Sequence, residues 1–181
     1  MFDCVEWVPR LPTENVKRVS YGVDFGYTND QTTIVKTVLS QGKLYSELLL
    51  YQTGLTNQQI SQEFERLGIR RGRRSGDIIM CDSAEPKSIA ELRTLGHKVL
   101  PCTKGKDSIV YGINLINQNK IYVISRSKNL IKELQSYTWM KDREGNTINK
   151  PIDAFNHCID AARYAITSQL QTPNKGKYNI R

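Results

Sequence analysis

The stretch VSYGVDFGYTNDQTTIV, residues 19–35, decides the fold: an apolar strand-like run carrying an acid, Asp24, breaks at a glycine-led polar turn and resumes as a second strand. Val23 and Phe25 point to the face opposite Asp24, and Gly22 and Gly26 leave room around its carboxylate. Unpaired charges are rarely buried in such a run, so Asp24 reads as functional rather than as a strand-end acid. Asp30, inside the connection GYTND, reads as a turn residue.

Downstream, TTIVKTVLS (32–40) and KLYSELLLYQ (43–52) are joined by the short turn QG, which makes the first three strands antiparallel neighbours. Thr56 is an N-cap for a helix carrying Ile60, Phe64 and Leu67 and closed by Gly68. Strand and helix then alternate. DIIMCD (77–82), HKVLPCT (97–103) and KIYVIS (120–125) read as strands, PKSIAELRTLG (86–96) and SIVYGINLINQN (108–119) as helices, and a further helix runs from about Lys128 to Tyr137. WMKDREGNTINKP (139–151) reads as a hairpin or mobile loop, and the last helix spans about Ile152 to Leu170. The pattern predicts an α/β fold, a mixed sheet of three antiparallel strands followed by parallel strands with helices on both faces. Residues 1–18, with Pro9 and Pro12, read as a linker or strap, 19–170 as one globular unit, and 171–181 as a basic tail.

The 181 residues suit one domain with a real core, and 26 Lys and Arg against 18 Asp and Glu give a net charge of +8 that favours polyanionic partners. Cys4, Cys81, Cys102 and Cys158 form no C-x-x-C pair, so they read as free thiols of a reducing, intracellular compartment. No run is long and apolar enough for a membrane span.

Two more acids stand out. Asp82 follows IIMC at the carboxyl end of a strand, where α/β proteins tend to place ligands, although it could also cap the next helix; Glu85 is a lesser accessory acid. On the final helix Asp153, His157 and Asp160 fall at i, i+4 and i+7, nearly one face, with Asp153 the best suited of the three to a simple charge at the helix start. If Asp24, Asp82 and Asp160 converge, their repulsion calls for cations in the gap. Oxygen ligands favour two divalent cations, Mg²⁺ or Mn²⁺, over zinc, and such a pair hydrolyses phosphodiesters. Lys104 and Lys106, ahead of a helix, are candidate phosphate contacts, and so is the cluster Arg66, Arg70, Arg71, Arg73 and Arg74 unless it is only a solvated loop.

Together VSYGVDFGYTNDQTTIV, CDSAEPKSI (81–89), KGKDSIVYGINLI (104–116) and NHCIDAARYA (156–165) resemble the C-terminal nuclease domain of the large terminase subunit of tailed double-stranded DNA bacteriophages and prophages. The resemblance covers roughly Tyr21 to Leu170. It implies a ribonuclease H-like fold and an endonuclease that cuts concatemeric viral double-stranded DNA during genome packaging. Carried over, Asp24, Asp82 and Asp160 are the metal-binding triad and His157 an accessory catalytic residue. The loop at 139–151 would lie near the cleft, where Lys141, Arg143 and Lys150 could touch DNA. Implied partners are a terminase ATPase domain, the small subunit and the portal protein, in the cytoplasm of a bacterial host. No G-x-x-x-x-G-K-[ST] phosphate loop occurs here, so no ATPase activity is expected of this chain.

Three rival readings remain open. GVDFGYTND also resembles the phosphate loop of actin-like ATPases, which need two such domains and more chain than this. A resolvase-like or transposase-like nuclease would share fold and metals, and a non-catalytic DNA-binding module would share the charge.

Overall fold

The computed structural model describes residues 2, 5–26, 29–102, 108–152, 154 and 156–170. Its strands are β1 (Val5–Val8), β2 (Val16–Asp24), β3 (Thr32–Ser40), β4 (Lys43–Gln52), β5 (Ile78–Cys81), β6 (Lys98–Pro101) and β7 (Ile121–Ile124), with β8 (Trp139–Lys141) and β9 (Thr147–Pro151) apart. The first seven form one sheet in the order β1-β7-β4-β3-β2-β5-β6, and β8 and β9 form the hairpin expected at 139–151. The β2, β3 and β4 strands pair antiparallel; β5, β6 and β7 join in parallel, as the alternating pattern predicts, and β1 adds in parallel to β7.

Helices α1 (Asn57–Arg66) and α2 (Pro86–Thr94) cover one face of the sheet, and α3 (Ser108–Gln118), α4 (Lys128–Ser136) and α5 (His157–Leu170) the other. The period-2 alternation of β2 divides its side chains between them. Tyr21 and Val23 enter the α1–α2 core with Ile34, Phe64 and Ile79, while Val35 and Leu44 join Ile113, Leu130 and Ile159 on the α5 side. Both faces of β3 are therefore covered, and each fully buried Ile or Phe adds roughly 1.5–3 kcal/mol of burial free energy. The start of α1 follows from sequence: Thr56 accepts a hydrogen bond from the Gln59 amide while the Gln59 side chain accepts one from the Thr56 amide.

Two boundaries differ from expectation. Residues 5–8, read as part of a linker, form an edge strand paired with β7, and β2 begins at Val16, within the same presumed linker. The four residues VEWV are too short to show a period, and their pairing partner lies more than a hundred residues away. The last helix begins at His157, not near Ile152, and Asp153, expected on its first turn, lies outside the described residues. Pro151 is still paired in β9, and the helix becomes hydrogen-bonded only where the Asp160 amide donates to the Asn156 carbonyl. The tail 171–181 also lies outside the described residues.

Candidate active site

Asp24 is the last residue of β2, and β5 runs parallel to it with Val23 opposite Cys81. Asp24 and Asp82 thus each stand one residue beyond the last registered pair, at the same end of neighbouring strands that run roughly 5 Å apart. Helix α5 supplies the third acid. It lies across β2 because Gly22 has no side chain: a Cβ there would stand 1.7 Å from the Ala161 carbonyl oxygen. Buried polar bonds then fix the helix along the strands. Ser20 Oγ donates to the Ala165 carbonyl (3.0 Å), Gln169 Nε2 donates to Ser20 Oγ (2.8 Å) and the Thr37 carbonyl (2.7 Å), and Thr33 Oγ1 donates to the His157 carbonyl (3.0 Å).

The first turn of α5 carries His157 and Asp160. His157 Nδ1 lies 2.9 Å from Asp24 Oδ2, with both side chains about four-fifths buried, and each acts on the other's proton affinity. Burial, followed by the charges of Asp160 and Asp82, lifts the Asp24 carboxyl to about 6 even though His157 pulls it down. The Asp24 hydrogen bond raises His157. Burial likewise raises Asp160, with Asp82's charge adding to it, while Arg163 opposes the rise. The three acids, from β2, the end of β5 and α5, thus act electrostatically on one another.

Arg163 and Glu133 belong to this site although neither was among the residues expected there. Arg163, 8% exposed, donates from Nε (3.2 Å) and an Nη nitrogen (3.1 Å) to Asp160 Oδ1, and its guanidinium lies 4.7 Å from the Tyr164 ring centroid. It fits against α3 because position 112 is glycine; a Cβ there would stand 2.4 Å from Arg163 Cδ. Glu133, on α4, accepts from the Cys158 (2.8 Å) and Ile159 (3.1 Å) amides and so caps the start of α5 from another helix. Its signal was readable: in KNLIKELQS the acid falls on the same helical face as Leu130 and Leu134.

Other expected residues are placed as follows. Asp82 Oδ1 accepts from the Ala84 amide (2.8 Å), which orders the turn after β5 without capping α2. Glu85 occupies the cap position of α2 without a capping hydrogen bond and lines a cleft of about 400 Å³ with Phe25, Leu55 and Thr56 on the α1–α2 side. Asp30, read as a turn acid, has Oδ1 3.8 Å from His157 Nε2. Lys141 and Arg143 are exposed on the β8–β9 hairpin, whose turn is held by Asp142 accepting from the Glu144 and Asn146 amides, and that hairpin precedes α5 in the chain. Lys104 and Lys106 lie outside the described residues. Cys81 and Cys158 are buried free thiols, Cys4 lies outside the described residues, and no described helix is long and apolar enough to cross a membrane.

A mixed sheet in this strand order, closed by a helix that brings acids to one strand end, defines the ribonuclease H-like class of α/β proteins. Residues 24–168 match the profile of the Terminase RNAseH like domain, and the chain belongs to that family. It is 28% identical over 148 residues to the PBSX phage terminase large subunit of Bacillus subtilis strain 168, and 27% identical over 158 residues to the terminase large subunit of Bacillus phage SPP1. These alignments cover 80% and 84% of this chain but 33% and 36% of the relatives, so the chain spans about a third of the curated relatives it matches. Among solved structures, the SPP1 large terminase nuclease domain with bound Mn superposes with a TM-score of 0.77 at 23% identity, covering 93% of this chain and 98% of that one. The nuclease of thermophilic phage G20c with bound cobalt gives 0.61 at 16% identity over 92% and 94%. At these identities the likeness establishes the fold.

The donor set suits a hard divalent cation, being three carboxylates whose repulsion an ion would relieve. In this arrangement Asp24 engages His157 and Asp160 engages Arg163, and among the described residues no three His, Cys, Asp or Glu side chains are already gathered into a metal-ligating group. An ion would enter in competition with those two partners.

Proposed function

We propose that this chain is the nuclease domain of a phage or prophage terminase large subunit, a Mg²⁺- or Mn²⁺-dependent endonuclease that cuts concatemeric double-stranded DNA during genome packaging. The observation that carries the reading is that Asp24 and Asp82 stand at the same end of neighbouring parallel strands, with Asp160 on the first turn of the helix packed across β2. Family membership and the metals named for the SPP1 and G20c nuclease structures support it.

Asp24, Asp82 and Asp160 would hold two divalent ions, which when bound would supply charge neutralisation and an activated water for phosphodiester hydrolysis. His157 holds Asp24 in place and keeps a proton at the edge of the site. Arg163 orients Asp160 and limits its repulsion of the other two acids. Lys104, Lys106, Lys141 and Arg143 contact the duplex backbone, Asp153 and Glu85 contribute at most from the periphery, and the products carry a 5′-phosphate and a 3′-hydroxyl. In the cell, the bacterial cytoplasm, this domain acts with the terminase ATPase domain, the small subunit and the portal protein.

Supercoiled plasmid incubated with Mg²⁺, Mn²⁺ or EDTA tests the reading. Nicking and linearisation are expected with either metal and not with EDTA, and Asp24→Ala or Asp160→Ala is expected to abolish both. Supercoils retained under every condition by well-folded protein would leave only DNA binding, and preference for four-way junctions over linear duplex would move the chain to the resolvases.

A further inference from the structure

The acidic site is not matched by cations evenly spread over the surface. Of the five arginines clustered between Arg66 and Arg74, three are committed to acids: Arg66 to Glu63, Arg70 to Asp77 at 2.8 Å, and Arg71 to Glu65. The other two, Arg73 and Arg74, stand in the loop tied to β6. Beside β6, the edge strand of the sheet, a cleft of about 370 Å³ is lined by Arg73, Arg93, His97, Lys98, Val99 and Leu100. No acid lines it, and among the described residues no carboxylate forms an ion pair with Arg73, Arg74, Arg93 or Lys98.

This cleft is ordered by its own bonds. Arg93 Nε donates to the Val99 carbonyl (2.7 Å), which fixes its guanidinium against β6. Lys98 Nζ donates to the Arg74 carbonyl (3.0 Å) and so ties the 70–77 loop to β6. That loop is closed by the Asp77 amide on the Arg70 carbonyl and the Gly76 amide on the Gly72 carbonyl, and the Gly72 amide fastens it to the Gly96 carbonyl. Arg93 and Lys98, held this way, lose little further entropy when they meet an anion. Lysine and proline on an edge strand also discourage pairing with other strands, and Lys98 and Pro101 serve that purpose too. Edge protection does not require Arg73 and Arg93, which lie off the strand, to line the same cleft.

We infer that the β6-edge cleft is a second phosphate-backbone site for duplex DNA, formed by Arg73, Arg93 and Lys98 with Arg74 beside them, upstream of the catalytic acids. The inference rests on the nuclease reading for the identity of its ligand. Strand β6 runs parallel to β5, so the line from Lys98 to Pro101 ends level with Cys81, next to Asp82. At about 3.3 Å per residue the cleft begins some 13 Å from the acids, roughly four nucleotides of axial rise along one DNA strand. A duplex engaged there is held on one side of the cut.

Fluorescence anisotropy with a labelled 30-base-pair duplex in EDTA, titrated with salt, tests this independently of cleavage. The full chain carrying R73Q and K98Q is compared with wild type and with K128Q/K132Q, which removes two exposed charges from α4 on the opposite face. The cleft variant is expected to lose at least about tenfold in affinity at 0.1 M salt and about 1.8 from the slope of log affinity against log salt. The α4 variant is expected to keep the wild-type slope. Equal losses in both variants reduce the effect to bulk charge and overturn the site. Wild-type DNA binding by the cleft variant, with matching thermal unfolding, also overturns it and leaves the cleft to an acidic protein surface. Wild-type protein that binds DNA through the cleft yet nicks no plasmid with either metal sinks the nuclease reading alone.

Discussion

Gly22→Ala is the sharpest perturbation of the structure that gathers the acids. The new Cβ would lie 1.7 Å from the Ala161 carbonyl oxygen and 3.2 Å from the Ala165 amide nitrogen, both of them helix backbone that no rotamer change can move aside. Restoring even a tight contact requires β2 and α5 to separate by at least about 1.3 Å. Overpacking of this kind costs about 1–3 kcal/mol, and here it also strains the Ser20, Thr33 and Gln169 bonds between strand and helix. Asp160 and His157 ride on α5, so the shift carries them away from Asp24. A displacement of about 1 Å in a catalytic array costs on the order of a hundredfold in rate. Plasmid nicking in Mn²⁺ at 20 °C, alongside urea unfolding to confirm a folded population, is the assay. Folded Gly22→Ala protein with wild-type nicking and unchanged stability would refute the claim that close approach of α5 to β2 builds the site.

Other perturbations have equally definite outcomes. Glu133→Ala leaves two amides of α5 uncapped and a void on the α4 face, so urea denaturation should show a loss of about 2–4 kcal/mol, with Glu133→Gln losing less; a loss below about 1 kcal/mol would contradict the capping role. Because the folded value of Asp24 lies above its unfolded one, metal-free protein binds more protons folded than unfolded between about pH 4 and 6, and stability from this group falls as pH rises through that window. Asp24→Asn should therefore stabilise the metal-free protein by about 1–2 kcal/mol at pH 7.5 and by nothing near pH 4 in thermal scans; a gain that persists at pH 4 would point to another cause. Mn²⁺ at a hundred times its Kd should stabilise wild type by about 2.7 kcal/mol but leave Asp24→Asn unmoved, and equal shifts in both would place the ion elsewhere.

Much of this was legible in the sequence because the signals were local. Thr56 with Gln59 marks the start of α1, Pro86 the start of α2, and the two-residue turn at Gln41 and Gly42 makes β3 and β4 neighbours. Asp24 stood out as an acid embedded in apolar residues, and Asp82 as an acid at a strand's carboxyl end. What was not legible depended on partners distant in sequence. The VEWV strand is defined only by its pairing with β7, and the start of α5 by a carboxylate on α4. Arg163 resembles any helical arginine until Gly112 is seen to make room for its side chain against α3. Within the arginine cluster, the division between paired and uncommitted charge depends on where Glu63, Glu65 and Asp77 fall in space.

Anomalous diffraction at the manganese edge from crystals grown in Mn²⁺ most directly tests whether the three carboxylates share their ions. Two peaks are expected between the ends of β2 and β5 and the first turn of α5, with oxygens of Asp24, Asp82 and Asp160 as ligands and with Arg163 drawn back from Asp160. Peaks confined to other surfaces, or Asp82 turned away while the other two bind, would contradict the shared site.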